Sequence, residues 1–169
     1  MRSDERRKAI LEILRAAQAP MSASALAERF GVSRQIVVGD VALLRSAGES
    51  ILATPRGYIM QSAPVGAVHR LAVRHTAQQT EQELNAIVDN GGTVLDVIVE
   101  HPVYGEITGS LQLSSRYDVA QFLSRSSGAS PLSALTEGIH LHTVSCPDEA
   151  VFARVRDSLR ALGFLLGEQ

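Results

Sequence analysis

His140-Leu141-His142 places two imidazoles two residues apart in a run, Gly138 to Val144, whose apolar and branched content reads as a β-strand. Side chains alternate along a strand, so both rings fall on one face, with Cα atoms roughly 6.5–7 Å apart. That spacing lets two ring nitrogens meet one ion. His75 closes an earlier apolar run, and Glu83 follows it by eight residues, about two helical turns if a helix begins there. Three imidazoles and one carboxylate suit a borderline divalent metal such as nickel, zinc, iron or manganese. The pattern alone does not compel a metal, because an HxH pair on a strand also arises with one ring in solvent and the other bonded to backbone. Glu81 and Glu106 are alternatives to Glu83 as the carboxylate. His69 reads as a strand residue with no evident role. The single Cys146 cannot form an internal disulfide and reads as a small buried residue.

The elements that must position these residues alternate in type. Val68 to Val73 reads as a first strand. Thr76 caps a helix that turns Leu84, Ile87 and Val88 inward and stops at Asn90-Gly91-Gly92. Val94 to Val99 is a second strand, His101 to Gly105 a turn, and Glu106 to Leu113 a third strand. Ser115 caps a helix carrying Val119, Phe122 and Leu123, and Gly138 to Val144 is the fourth strand. Asp148 to Leu162 is a last amphipathic helix, followed by a short edge strand at Phe164-Leu165-Leu166. The order β-α-β-β-α-β is the split, ferredoxin-like plan, a two-layer sandwich with helices on one face. There the first and fourth strands approach, so His75 and Glu83 converge with His140 and His142.

The N-terminal third has a different grammar. Asp4 to Ala17 reads as a helix with Ile10, Leu11, Ile13 and Leu14 inward. Met21 to Arg45 reads as two further helices about a tight turn. Ser22 caps the first, Gly31 ends it in the left-handed region, and Ser33 caps the second. On that second helix Ile36, Val37, Val41 and Leu44 are expected to face the core, leaving Arg34, Gln35 and Asp40 outward and Arg45 at the end. Ile51 to Met60 reads as two short strands about Pro55-Arg56-Gly57, a wing with Arg56 at its tip. Guanidinium and amide groups at the start of a second helix suit paired hydrogen bonds to base edges. Ser33, Arg34, Gln35, Arg45 and Arg56 are therefore the candidate contacts to double-stranded DNA. The fold class is α+β: a winged helix-turn-helix, residues 1–62, joined to a βαββαβ-like two-layer α/β sandwich, residues 63–169, across the small-residue segment Gln61-Ser62-Ala63-Pro64.

Charge divides with the chain. Residues 1–62 hold nine Lys and Arg against six Asp and Glu, a net +3, whereas the remainder is −5. A basic module on an acidic body fits local phosphate contact without indiscriminate binding. At 169 residues, 45% hydrophobic and 20% charged, the composition is that of a globular protein of one or two domains. No apolar run approaches a membrane span. Met-Arg-Ser-Asp-Glu-Arg-Arg-Lys has no apolar stretch behind it to act as a secretion signal. These features lead to a cytoplasmic expectation.

Two segments carry a resemblance to a known family. Val99-Glu100-His101-Pro102-Val103-Tyr104-Gly105-Glu106-Ile107 and Gly138-Ile139-His140-Leu141-His142-Thr143 closely resemble the three-histidine domain fused to a winged helix in nicotinate-responsive repressors of the NiaR type. Asn90-Gly91-Gly92 ahead of the second strand also fits, and the resemblance runs over about residues 5 to 166. It implies a non-enzymatic repressor of genes for niacin uptake and NAD synthesis, with nicotinic acid as co-repressor. It further implies a divalent metal, nickel or zinc, on His75, Glu83, His140 and His142, with His101 outside the ligand set. Homodimers reading a palindromic operator are expected. His101, Tyr104 and Arg74 are candidates for the wall of an effector pocket. Two other classes stay open at this point. One is a metal sensor with no organic effector. The other is a metal-dependent hydrolase fused to a DNA-binding module, with Glu106 proposed as its base.

Overall fold

Helix starts and stops in the N-terminal third follow from small side chains at defined positions. Helix α1, Ser3–Ala16, turns Arg6, Ile10 and Leu14 inward at a spacing of four. Helix α2, Ala23–Phe30, begins where Ser22 Oγ accepts the Ala25 N–H at 3.1 Å. It ends at Gly31, whose φ of 63° permits the Val32 N–H to reach the Ala27 carbonyl. Helix α3, Arg34–Ser46, begins at Ser33, whose Oγ accepts the Ile36 N–H. Strands β1, Ile51–Thr54, and β2, Gly57–Met60, form an antiparallel hairpin. The other edge of β2 takes Met21 as a bridge to Tyr58. This ties the wing to the residue before the α2 cap. Ile10, Leu14, Leu26, Val37, Val41, Leu44 and Ile51 form the core of this unit.

Two expectations for α3 are corrected here. Ile36 faces outward, 43% exposed, and Asp40 is buried, 4% exposed. The buried stripe is Val37, Asp40, Val41 and Leu44, the i, i+3, i+4, i+7 pattern of one helix face. Ile36 lies one residue outside that stripe despite its apolar side chain. Asp40 lies within it because Arg6 of α1 receives it: Arg6 Nε donates to Asp40 Oδ2 at 2.6 Å and Nη2 to Oδ1 at 3.3 Å.

The computed structural model describes residues 1–167, which divide after Ala63 into two units. The second begins with β3, Ala67–Arg74. A 3-10 turn at Ala77–Gln79 leads into α4, Thr80–Asp89. Strands β4, Thr93–His101, and β5, Gly105–Leu113, form a hairpin. Helix α5, Arg116–Ser126, is followed by a second 3-10 turn, Leu132–Thr136, then β6, Ile139–Cys146, and α6, Glu149–Ala161. The sheet order is β3-β6-β4-β5, with every neighbouring pair antiparallel. Each βαβ crossover is thus split by an inserted strand, and the first and fourth strands are neighbours. The innermost strands are β6 and β4, whereas the ferredoxin-like arrangement places its first and third strands there.

Helices α4, α5 and α6 bury Leu84, Ile87, Val119, Val155 and Leu159 against Leu71, Val73, Val94, Leu113 and Val144. Burying this apolar surface provides the main stabilisation of the two-layer unit. The expected edge strand at the C-terminus is a single bridge, Leu165 to Val73, flanked by hydrogen bonds from Arg74 to Phe164 and from Leu166 to Ala72.

Candidate functional site

Pairing between β3 and β6 brings the histidines together. In the antiparallel register Val73 faces His140 and Leu71 faces His142. His140, His142, Val144 and Cys146 are the buried alternates of β6, so both imidazoles enter the layer between sheet and helices. His75 lies one residue beyond β3, beside the start of β6. The backbones there nearly touch: a Cβ on Gly138 would stand 2.3 Å from the His75 carbonyl oxygen. Gly138 also has φ of 89°, and both facts require glycine.

Glu83 comes from above. It shares the inner face of α4 with Leu84, Ile87 and Val88, and it is 1% exposed. Glu81 and Glu106 are exposed, which leaves Glu83 as the carboxylate of the cluster. His75 Nε2 lies 2.5 Å from Glu83 Oε2. His140 Nε2 is 3.2 Å and His142 Nε2 3.1 Å from Glu83 Oε1. The rings of His75 and His140, and of His140 and His142, meet edge to face with centroids 4.8 Å apart. Donor atoms of His75, Glu83 and His140 all lie within 4.8 Å of one another, close enough to hold one ion.

The opposite nitrogen of every ring is tied to backbone. Nδ1 of His75 contacts the Thr76 carbonyl at 2.7 Å, that of His140 the Gly138 carbonyl at 2.8 Å, and that of His142 the Asp96 carbonyl at 2.7 Å. A carbonyl only accepts, so each Nδ1 must carry the hydrogen. In the neutral imidazole, Nε2 then presents a lone pair. Three lone pairs converge on a carboxylate, which is itself an acceptor. His142 Nε2 is buried and, although close to Glu83, is angled so that it makes no hydrogen bond. Such a donor set fits a divalent cation, and the carbonyls are the outer partners that fix ring orientation in metal sites.

Proton affinities reflect the same crowding. Burial pushes His75 and His142 down, but the hydrogen bond of Glu83 to His75 and the charge of Glu83 beside both rings more than offset this and leave both above the ordinary imidazole value. Burial pushes Glu83 up, while the charge of His142 and the contacts from all three rings carry it well below the usual carboxylate range.

Asp96 was not singled out by sequence reading. Its carbonyl orients His142, and its carboxylate Oδ1 accepts the Thr143 N–H at 2.9 Å. The register against β5 and β6 shifts at this point of β4, which frees the carbonyl from the ladder. An aspartate inside the apolar run Val94 to Val99 was the available signal.

The other expected site residues lie apart from the cluster or at its border. His101 and Tyr104 stand at the tip of the β4–β5 hairpin. His101 Nδ1 accepts the N–H groups of Val103 and Tyr104, and Tyr104 is 77% exposed. Neither lines the two clefts that flank the cluster, whereas Arg74 lines one of them. His69 Nε2 lies 2.9 Å from both carboxylate oxygens of Glu149, and its ring stacks on Phe152.

In the N-terminal unit Arg34, Gln35 and Arg45 are exposed on α3, and Ser33 serves as its cap. Arg56 lies in the two-residue turn of the wing, half-buried, with its N–H donated to Thr54 Oγ1. The outward face of α3 also carries Ile36 and Leu43, 43% and 54% exposed. Apolar groups on such a face suit contact with thymine methyls.

A helix-turn-helix with a wing, in a chain whose second unit buries three histidines and a glutamate against an antiparallel sheet, defines the class: a DNA-binding transcription regulator. Residues 6–59 match an HTH domain and residues 68–168 a 3H domain. The chain is 45% identical over 166 residues to the probable transcription repressor NiaR of Thermotoga maritima, covering 97% of this chain and 95% of that protein. It is 38% identical over 167 residues to the transcription repressor NadR of Bacillus subtilis, covering 95% and 93%. The chain belongs to the NiaR/NadR family of transcription repressors. Membership in a repressor family sets aside the hydrolase reading. Among the described residues, no helix is long and apolar enough to cross a membrane.

Proposed function

We propose that this repressor holds a divalent transition metal, nickel or zinc, on His75, Glu83, His140 and His142, and uses nicotinic acid as co-repressor of genes for niacin uptake and NAD synthesis. The observation that carries the metal is the convergence of three Nε2 lone pairs on one buried carboxylate, with each Nδ1 tied to a carbonyl. Bound there, the metal supplies a fixed positive charge that binds the ring nitrogens and Glu83 together. The protein's own part is to orient the rings and exclude water, since the four side chains are 1–3% exposed.

The effector rests on the resemblance of the Val99–Ile107 and Gly138–Thr143 segments to nicotinate-responsive repressors. DNA contact falls to Arg34, Gln35 and Arg45 on α3, with Arg56 at the wing and Ser33 fixing the helix start. A homodimer would set two such helices against a palindromic operator about one DNA turn apart. Nicotinic acid would act by binding the DNA-competent state more tightly than the other.

Operator binding measured with and without nickel and nicotinic acid tests this reading. Repression requires tight binding only when both are present. Binding that follows nickel alone would instead make the metal the signal. Binding indifferent to both would refute the regulatory assignment.

A further inference from the structure

Ile36 is the third residue of α3, and the fold makes no use of its apolar side chain. The buried stripe of the helix, Val37, Asp40, Val41 and Leu44, is complete without it. Ile36 is 43% exposed and belongs neither to the core of its unit nor to the half-buried residues packed on that core, which include its neighbour Val38. Single exposed apolar residues are ordinary on protein surfaces. Ile36 is set apart by its company and its place. Leu43, 54% exposed and likewise outside the core, follows about two helical turns later on the same flank.

At about 100° per residue the outward side of α3 sorts into a middle and two flanks. Gln35, Gly39, Ala42 and Ser46 run along the middle, all exposed. Arg34 and Arg45 lie on one flank, Ile36 and Leu43 on the other. The middle lets a partner come close, since a Cβ on Gly39 would meet nothing within 4 Å. A recognition helix brings its N-terminal residues to base edges in the major groove. The cationic flank suits phosphates or guanine. The apolar flank has one counterpart on those edges, the 5-methyl group of thymine. Ile36 stands in the N-terminal turn, whereas Leu43 lies about 10.5 Å further along the axis.

We propose that Ile36 reads the 5-methyl group of a thymine in the operator, and so sets a base preference that no hydrogen bond of the helix supplies. The inference rests on the reading of α3 as the DNA-contacting helix and adds to it a residue and a base. Cytosine lacks the methyl, so the contact favours a T·A pair at one position of each half-site. Burying one methyl against Ile36 is worth about fourfold in affinity.

Replacing thymine by deoxyuridine tests this, because it removes the methyl and leaves every hydrogen-bonding edge in place. The full chain selects duplexes from a random library, with and without nickel and nicotinic acid. The recovered sequence is then remade with each thymine of one half-site replaced in turn. At one position the replacement should weaken wild type about fourfold. Ile36→Ala should bind the thymine duplex about as weakly as wild type binds the deoxyuridine one, and should not distinguish the two. Ile36→Val should keep part of the preference and Leu43→Ala all of it. Melting of Ile36→Ala should be no lower than that of wild type, since the side chain is outside the core. A recovered sequence in which no replacement weakens wild type overturns the inference and leaves α3 as the reading helix. Undiminished sensitivity in Ile36→Ala does the same, as does its loss in Leu43→Ala alone. Recovery of no sequence under any of these conditions overturns both readings.

Discussion

His75 Nε2 and Glu83 Oε2 lie 2.5 Å apart, and each side chain is 1% exposed. The two residues come from different elements, one just past a strand end and one in the first turn of α4. Their contact fixes where helix and sheet meet at the cluster. Glu83→Gln keeps the shape and removes the charge. It is expected to leave the regulatory unit folded and to weaken nickel or zinc binding by at least about 100-fold, more than loss of an outer partner costs. Competition with a chelator of known affinity measures this, and unchanged affinity would remove Glu83 from the ligand set.

Proton linkage gives a second expectation. In the metal-free protein His75 and His142 sit above the ordinary imidazole value of 6.5. Their contribution to stability is fully present below that value and is lost as pH rises through the raised one. Glu83 is held below its ordinary 4.5, so its contribution is present above 4.5 and is lost as pH falls through the lowered value. Metal-free protein should thus be most stable in mild acid and weaken toward alkaline pH. Metal must displace the imidazole protons, so its affinity should rise over the same interval. Melting curves with and without nickel across this range test the sign, and metal-free stability that climbs with pH would contradict it.

Gly138→Ala addresses the backbone under the site. The new methyl meets the His75 carbonyl, and the residue is held at φ of 89°. The strained φ alone should cost about 1–3 kcal/mol of stability, and shifting His75 should lower metal affinity. Unfolding and metal titration of the variant check both effects.

Sequence patterns captured the strand that aligns His140 with His142, because alternation on a strand is strict. The turn between α2 and α3 was equally legible from Ser22, Gly31 and Ser33, whose cap chemistry is local. The phase of α3 was not. Ile36 looked like core and Asp40 like surface, since the stripe is decided by Arg6, 34 residues away in sequence. The placement of His101 and Tyr104 was not legible for a related reason. Their proximity in sequence reflects the hairpin turn they close, and the distance from that tip to the cluster depends on strand length. Asp96 was overlooked because its role depends on a register shift that no local pattern announces.

Asp40→Asn tests the relation between α1 and α3. Removing the charge opposite Arg6 should lower the melting temperature of the N-terminal unit and loosen the helix that carries Arg34 and Gln35. Preference for operator over random duplex DNA should fall more than total DNA affinity, because non-specific binding depends on phosphate contacts. Equal loss of both would limit the pair to a structural role.

Gly39 occupies the middle of α3, and a Cβ there would meet nothing within 4 Å. Gly39→Ala should therefore stabilise the unit by about 0.5–1 kcal/mol. If the exposed face of α3 lies close against DNA, the same methyl should weaken operator binding. A denaturant melt and a binding isotherm on one preparation read the two effects separately.

X-ray absorption at the nickel edge of the nickel-loaded full chain bears most directly on the central claim. Three imidazoles and one carboxylate oxygen should appear in the first shell, with His140→Ala and His142→Ala each removing one imidazole. A first shell of oxygen alone, or one unchanged by both substitutions, would place the metal elsewhere.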